Sequence, residues 1–431
     1  MKKINSPFQI GKIYTILFLL IFAVSPGFSA VFQEIQTDST NFSVYRGIVI
    51  NSESDDPIAS ALISVNRSNI STISNSDGEF SLRVPEDLTP VTVTVSRLGY
   101  NSKSLPLYYF EENNRVELVN SVQELSEINI FDADDPRELV NKMLQKKDEN
   151  YFSDQTLMTS FYRETIKRRR TNVSLSEAVV KIYKSPHNSN KDDLVSIYKA
   201  RKSTDYDKLD TLALKLRGGP FNALYLDLIK YTEYVLQPGM TKNYEFSFDE
   251  PTKINDNYIY VVNFEETDKS TPWYFGQLFI DAHSLTLVRA EYKLNVDDRR
   301  TATKMFVKKK PSGSKVYPVD LSYKVDYVEN NGKWHYAYGN AIMEYVVDWR
   351  KKIFNSRYTV NSEMVVTNWE KYTDNGELKT EEFIDPYVVM GDDVSGFYDA
   401  EFWGNNNIIE PEKSIQNAIE KIKKNMEDNQ E

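Results

Sequence analysis

The chain has 431 residues, a formal charge of −11 and no cysteine. The missing cysteine excludes a disulfide framework, a thiol nucleophile, a Cys-ligated zinc site and a lipid-modified N-terminal Cys. The acidic balance does not suit nucleic acid or anionic lipid headgroups, because both are bound through neutralisation of their negative charge.

The chain begins with Lys2, Lys3 and Lys12, an apolar run "TILFLLIFAV" (15–24), and small residues up to Ala30. A basic start, a short apolar stretch and small residues at a cut site describe an export signal over 1–30. Cleavage is expected after Ser29 or Ala30, with an N-terminal membrane anchor as the alternative reading. The apolar run is short for a bilayer span. Removing the three leader lysines takes the charge from −11 to −14. Residues 31–44 read as a flexible lead-in.

From Tyr45 to about residue 122, short strands follow one another: "YRGIVI", "ALISVN", "STIS", "EFSLRV" and "VTVTVSRLGY". Ala61, Ile63 and Val65 alternate with polar residues, as do Val91, Val93 and Val95, and turn-forming residues separate the runs. Asp77-Gly78 reads as the turn of a hairpin whose second strand is "EFSLRV". The pattern is that of a small β-sandwich. Gly47, Pro57, Ala61, Asn75, Gly78, Phe80, Gly99 and Tyr100 occupy the places by which this stretch resembles the carboxypeptidase-regulatory-like domain, a transthyretin-like sandwich. The resemblance bears on fold more than on activity.

Residues 123–152 read as a linker and a helix, with Asp135 as cap, Pro136 in the first turn, and Leu139, Val140, Met143 and Leu144 on one face. The segment 153–410 reads as a larger antiparallel β-domain. It opens with a long hairpin, "LMTSFYRETIKRRR" and "NVSLSEAVVKIYKS", and a strand "DLVSIYKARKS". A helix–break–helix follows around "RGGP" in 212–236. A meander then runs through "YIYVVNFEE", "WYFGQLFI", "LTLVRAEYKLN" and "TATKMFVKKK" to "RYTVNSEMVVTNW". The basic run at 167–170 reads as a strand tip. The end, 411–431, reads as a helix from the spacing of Ile415, Ala418, Ile419 and Ile422.

"GQLFIDAHSLTLVRAEY" (276–292) resembles the repeated hairpins of half-open barrels in lipoprotein carriers, which implies a curved sheet wrapped around helices. The whole order, with "FYRE", "LSEAVVKIY", "RGGP" and "FYDAEFWGNNNIIEPEKSIQNAI", resembles an envelope protein family of Bacteroidota named for its regulatory-like domain. The expected fold is therefore mainly β: a transthyretin-like sandwich plus a larger curved antiparallel, half-barrel-like domain with a few helices. The resemblance implies an exported protein, periplasmic or outer-membrane-associated in a Gram-negative bacterium.

The sequence offers little chemistry. His187, His283 and His335 are isolated, with no Glu at helix-face spacing, so neither a peptidase metal site nor any other cofactor is expected. There is no nucleophile elbow, phosphate loop or dinucleotide fingerprint. The acid doublets Asp297-Asp298, Glu265-Glu266, Glu381-Glu382 and Asp392-Asp393 would point to opposite faces of a strand and cannot each serve as a glycosidase pair. The 28 Tyr, 22 Phe and 5 Trp could suit an outer-membrane barrel,. The polar, helix-patterned end argues for a soluble β-rich protein without a transmembrane span after signal removal.

Trp273 and Phe275 fall on one side of a strand, and Trp334, Tyr336 and Tyr338 on one side of another. They either fill a concavity or line a groove for an apolar, lipid-like ligand or an envelope protein partner. The groove candidates are Trp273, Phe275, Trp334 and Tyr336. The expectation is a non-enzymatic envelope protein with a binding or assembly role. A glycan or peptide hydrolase and an accessory to outer-membrane import are the alternatives.

Overall fold

The computed structural model describes residues 41–420 apart from 89, 113, 122–134, 170, 205–217, 233–234, 237–240, 255–256, 268–273, 307–312, 351–353, 374–382, 389, 391–399 and 418. The export signal, most of the lead-in, Trp273, the acid doublets at 381–382 and 392–393, and the tail beyond 420 lie outside the described residues.

Seven strands build the N-terminal sandwich: β1 (Phe42–Asn51), β2 (Leu62–Val65), β3 (Ser71–Ile73), β4 (Glu79–Pro85), β5 (Thr92–Ser96), β6 (Lys103–Pro106) and β7 (Arg115–Leu118). One sheet has the order β4-β1-β7, with β1 and β7 parallel, and the other β3-β2-β5-β6. Val49, Ile63, Leu82, Val93 and Val116 meet between them in a dry core. The first strand starts at Phe42, where it faces Pro85, so the end of the expected lead-in is already strand.

The Asp77-Gly78 turn forms, but it does not join two paired strands. Strand β3 pairs with β2 and β4 with β1, so the turn carries the chain from one sheet to the other. The Asn75 carboxamide oxygen accepts the N–H groups of Asp77 and Glu79, both at 2.9 Å, and fixes the turn locally before the strands diverge. Gly78 has φ +77°, and a Cβ there would lie 2.5 Å from the Val49 carbonyl oxygen. Only glycine fits.

After α1 (Tyr109–Glu112), helix α2 (Pro136–Gln145) starts as the sequence suggests, with the Asp135 carboxylate accepting the Arg137 N–H at 2.8 Å,. A short α3 (Lys147–Asn150) follows. The large sheet then takes β8 (Thr156–Arg168), β9 (Thr171–Lys184), β10 (Leu194–Thr204), β11 (Tyr244–Ile254), β12 (Asn257–Glu266), β13 (Tyr274–Asp281), β14 (Leu287–Leu294), β15 (Ser314–Asn330), β16 (Lys333–Trp349) and β17 (Ser356–Lys371). Its order is β10-β9-β8-β17-β16-β15-β14-β13-β12-β11, a ten-stranded sheet antiparallel throughout.

Two local expectations change. The stretch "TATKMF", expected as strand, is helix α5 (Arg299–Phe306). The Asp298 carboxylate accepts the N–H groups of Arg300 and Thr301 and so caps it,. The first half of the expected helix pair, up to residue 217, lies outside the described residues; after the break one helical turn is described, α4 (Phe221–Leu224), and the chain continues to Tyr231 in successive tight turns. Asp227 stops the helix there, because its carboxylate is taken by the Ile229 N–H, the Tyr327 hydroxyl and Lys184.

The two faces of the large sheet are covered differently. On the inner face Leu139, Val140 and Met143 of α2, with Phe221, Leu224 and Leu228, pack onto Leu278, Ile280 and Leu287 in one apolar cluster. On the outer face lies the sandwich, joined by the segment 402–415. Trp403, Ile408 and Ile409 pack with Ile73 of β3 onto Phe161, Val179 and Val365.

Candidate functional site

On the inner face Trp334 and Tyr336 line a cavity of about 30 Å³ beside His335, Lys184 and Tyr327. That is room for a single water, not for an acyl chain. Around it Lys184 bonds Asp227 at 2.7 Å and Asp193 at 3.3 Å, Lys230 also meets Asp193, and the Tyr231 hydroxyl donates to Asp193 at 2.7 Å, whereas the buried His335 Nε2 has no hydrogen-bond partner among the described residues. His335 stacks on Trp369 with ring centroids 3.7 Å apart, and burial pushes its pKa down to about 4.

Of the expected groove residues Trp334 and Tyr336 line that cavity together, while Phe275 does not join them. Strand β13 alternates, with Leu278 and Ile280 in the inner cluster and Phe279 in an outer one. Phe275 shares the parity of Phe279 and so points away from Tyr336. A bulge between β15 and β16, at Asp326/Tyr327, inserts Ala337 and turns Tyr338 to the outer face while Tyr336 stays inside. The side-chain alternation expected for Trp334, Tyr336 and Tyr338 breaks at that bulge. Gly276 carries no bulge; it is required because a Cβ there would strike the backbone of Glu291 and Tyr292 on β14.

Larger cavities among the described residues lie on the outer face, between sandwich and sheet. Pairing of β16 with β17 stops at Tyr338–Val365, although both strands continue. Residues 151–152 enter the resulting wedge from inside, with the Phe152 N–H bonding the Trp334 carbonyl at 3.0 Å. From outside, the Asn69 amide donates to the Trp369 carbonyl at 2.6 Å and the Ser71 hydroxyl to the Val366 carbonyl at 3.1 Å. The register shift of β17 against β8 falls between these two carbonyls.

Two adjoining cavities of about 260 Å³ each flank this contact. Both are lined by Leu62, Ser64 and Asn66 of β2 and the stretch from β2 to β3, and by Val328, Glu329 and Ala337 opposite. Strand β2 puts Ile63 and Val65 into the sandwich core and therefore turns its other side to the crevice,. The second cavity is closed by Leu98, Ile254, Val288 and Trp334, and it holds Arg97. The Arg97 guanidinium donates to the Ser60 carbonyl at 3.1 Å, and no carboxylate lies within salt-bridge distance of it among the described residues. Burial, and then the neighbouring Arg289, lower its pKa to about 10. Lys324 is pushed down to about 8, first by burial and then by Arg289.

A third cavity, about 140 Å³, brings Glu363 and Glu412 together with Arg163 and Lys167. This is the arrangement nearest to a hydrolytic carboxylate pair. Burial raises Glu363, while hydrogen bonds from Lys167, Ser414 and Ser76 overcome the effect of burial on Glu412 and hold it at about 2. Each carboxylate has its own cation, Arg163 at 3.7 Å and Lys167 at 2.8 Å. A carboxylate held at about 2 is a poor base near neutral pH. The arrangement is that of an ion network tying the segment 402–415 to the sheet.

The other polar residues are also placed in structural roles. His187 bonds Asp148 at 2.7 Å, and His283 is exposed in the turn after β13. Among the described residues no group of three or more His, Asp or Glu could hold a metal ion. No described helix is long and apolar enough to cross a membrane. The crevice was hinted at by the polar side of β2, but its other wall needed the bulge at Ala337, which has no local sequence mark.

Residues 45–130 match the model of the CarboxypepD_reg-like domain family. A search of the curated proteins finds no match. Among solved structures, the chain is similar to a LolA superfamily protein from Nitrosomonas europaea (12% identity, TM-score 0.23, covering 56% of this chain and 98% of that one). It is also similar to a DUF1329 family protein from Desulfovibrio piger (11%, 0.25, 57% and 99%). A third is the MucA/MucB complex of Pseudomonas aeruginosa (10%, 0.17, 55% and 99%). At these identities and TM-scores nothing that those proteins bind or do carries over to this chain.

Proposed function

We propose that the protein is an exported, non-enzymatic binding or assembly protein of the cell envelope, and that it binds in the crevice between the sandwich and the outer face of the sheet. Export rests on the N-terminal pattern of basic, apolar and small residues. The observation that carries the binding site is the free volume of the two crevice cavities, about 260 Å³ each, walled by Leu62 and Ser64 of β2 on one side and by Val328, Glu329 and Ala337 on the other. Trp334 lines the Arg97 cavity as well as the inner one.

Ser64 stands in the crevice wall, while Lys315 is exposed near the start of β15, far along that strand from the crevice. A photo-crosslinking amino acid at Ser64 of the full chain should yield a discrete adduct in native envelopes, and the same group at Lys315 should not. No adduct from Ser64, or equal adducts from both positions, would contradict the reading.

A further inference from the structure

Ser60, Ser64, Asn66, Thr94, Ser96 and Asn257 set hydroxyls and amides along the Arg97 cavity, with Leu98, Ile254, Val288 and Trp334 as its apolar patches. Ser64 bonds the Thr94 carbonyl at 3.4 Å, and the Thr94 hydroxyl donates to the Asn66 amide oxygen at 2.8 Å, so the wall is polar though partly self-paired, and it suits an occupant with donors and acceptors better than an acyl chain,. An extended peptide offers a donor and an acceptor at every residue.

The charge in the crevice is also incompletely matched. Arg289 is paired with Asp326, with Nη2 to Oδ2 at 3.1 Å. Lys324 reaches Glu291 at 3.6 Å, and Arg289 lies 3.8 Å from the same carboxylate. Arg97 adds a third cation to two carboxylates, and its recorded polar contact is the Ser60 carbonyl. Glu329 and Arg67, both exposed on the crevice rim, offset one another. A half-buried guanidinium with donors to spare, at the wall of a cleft, is a site for a carboxylate.

Resting on the crevice reading, we propose that its occupant is an extended peptide segment of a partner protein, and that Arg97 receives a carboxylate of that segment. Arg97 is then a specificity-determining contact, and the hydroxyl-lined β2 side reads the peptide backbone.

The probe is a pair of fluorescein-labelled random octapeptide pools, identical except that one fixed position is Asp in the first and Asn in the second, titrated against the full chain by fluorescence polarisation. The Asp pool should bind about tenfold tighter, as expected for one charge-assisted hydrogen-bonded contact. In Arg97→Gln the two pools should bind alike, and Arg97→Lys should restore part of the preference. Equal binding of both pools to the wild type, a preference surviving in Arg97→Gln, or no binding of either pool overturns the proposal. Displacement of the Asp pool by oleate at comparable affinity would identify an amphiphile instead and would also overturn it. If Ser64 still crosslinks while the pools bind alike, the carboxylate contact fails and the crevice reading survives; loss of the crosslink removes both.

Discussion

The two faces of the ten-stranded sheet solve the same problem with different chemistry. Adjacent residues of β8 show it most sharply. Glu164 lies on the side of Tyr162, whose hydroxyl donates to it at 2.9 Å. No cation pairs with it among the described residues, and burial raises its pKa to about 7. Arg163 points to the other face, where Glu177 is held between Arg163 at 2.7 Å and Arg201 at 2.6 Å. Those cations outweigh burial and keep Glu177 below the usual carboxylate range. The inner face is therefore an apolar core with one ion cluster of Lys184, Lys230, Asp193 and Asp227, and Glu164, outside that cluster, is driven toward its protonated form. The outer face is an interface held by ions and by carbonyls, and it keeps room beside them.

Four measurements test this contrast. The largest effect is expected from Arg163→Met, because Arg163 is 2% exposed, pairs with buried Glu177, and donates to the Ile409 carbonyl at 2.7 Å. Removing one partner of a buried pair costs about 3–5 kcal/mol. Urea denaturation should show that loss, and limited proteolysis should show earlier cleavage after residue 402. A loss under about 1 kcal/mol would mean that the outer network contributes little.

On the inner face, Leu278→Ala should cost about 2–5 kcal/mol in the same assay. It should leave binding of the Asp-fixed peptide pool unchanged, because Leu278 is fully buried in the inner cluster. Weaker peptide binding at full folding would couple the two faces and weaken the distinction.

Glu164 and His335 give pH dependences of opposite sign. The folded pKa of Glu164, about 7, is above its ordinary 4.5. Its favourable contribution is thus complete below the unfolded pKa and is lost as pH rises through the folded one, by on the order of 3 kcal/mol. His335 sits at about 4 against 6.5, so its contribution is present above the unfolded pKa and is lost as pH falls toward the folded one,. Glu164→Gln should therefore gain stability relative to wild type between about pH 5 and about pH 8. A pH-independent difference would show that Glu164 is charged in the fold or titrates normally.

The smallest effect belongs to the Asp135 cap. Asp135→Ala should cost about 1 kcal/mol, since α2 is also held by Leu139, Val140 and Met143 in the inner cluster,. A loss of several kcal/mol would mean that docking of α2 depends on its cap.

The sequence made the strands and their faces legible wherever alternation was unbroken, as in Ile63 and Val65 or Leu278 and Ile280. It made α2 legible because Asp135 and Pro136 mark its start. It did not show that β3 and β4 part into different sheets, because a turn closed by Asn75 is local and pairing is not. It did not show α5, where the Asp298 cap decides over a stretch with weak apolar pattern. The site was the least legible part. Tyr336 and Tyr338 were separated by one bulge, and Arg97 acquires its meaning from Asp326, Arg289 and Glu291, which lie some two hundred residues further along the chain.

The crevice reading puts ligand entry on the outer face, between β2 and the bulge at Ala337, and not beside Phe221–Tyr231. Hydrogen exchange of the full chain, read peptide by peptide with the Asp-fixed pool and then with oleate, tests it directly. The account predicts that the peptide pool protects amides around Leu62–Asn66 and Val328–Asn330, and that oleate leaves Phe221–Tyr231 unchanged. Protection of Phe221–Tyr231 by oleate, with no protection of β2 by the peptides, would contradict it.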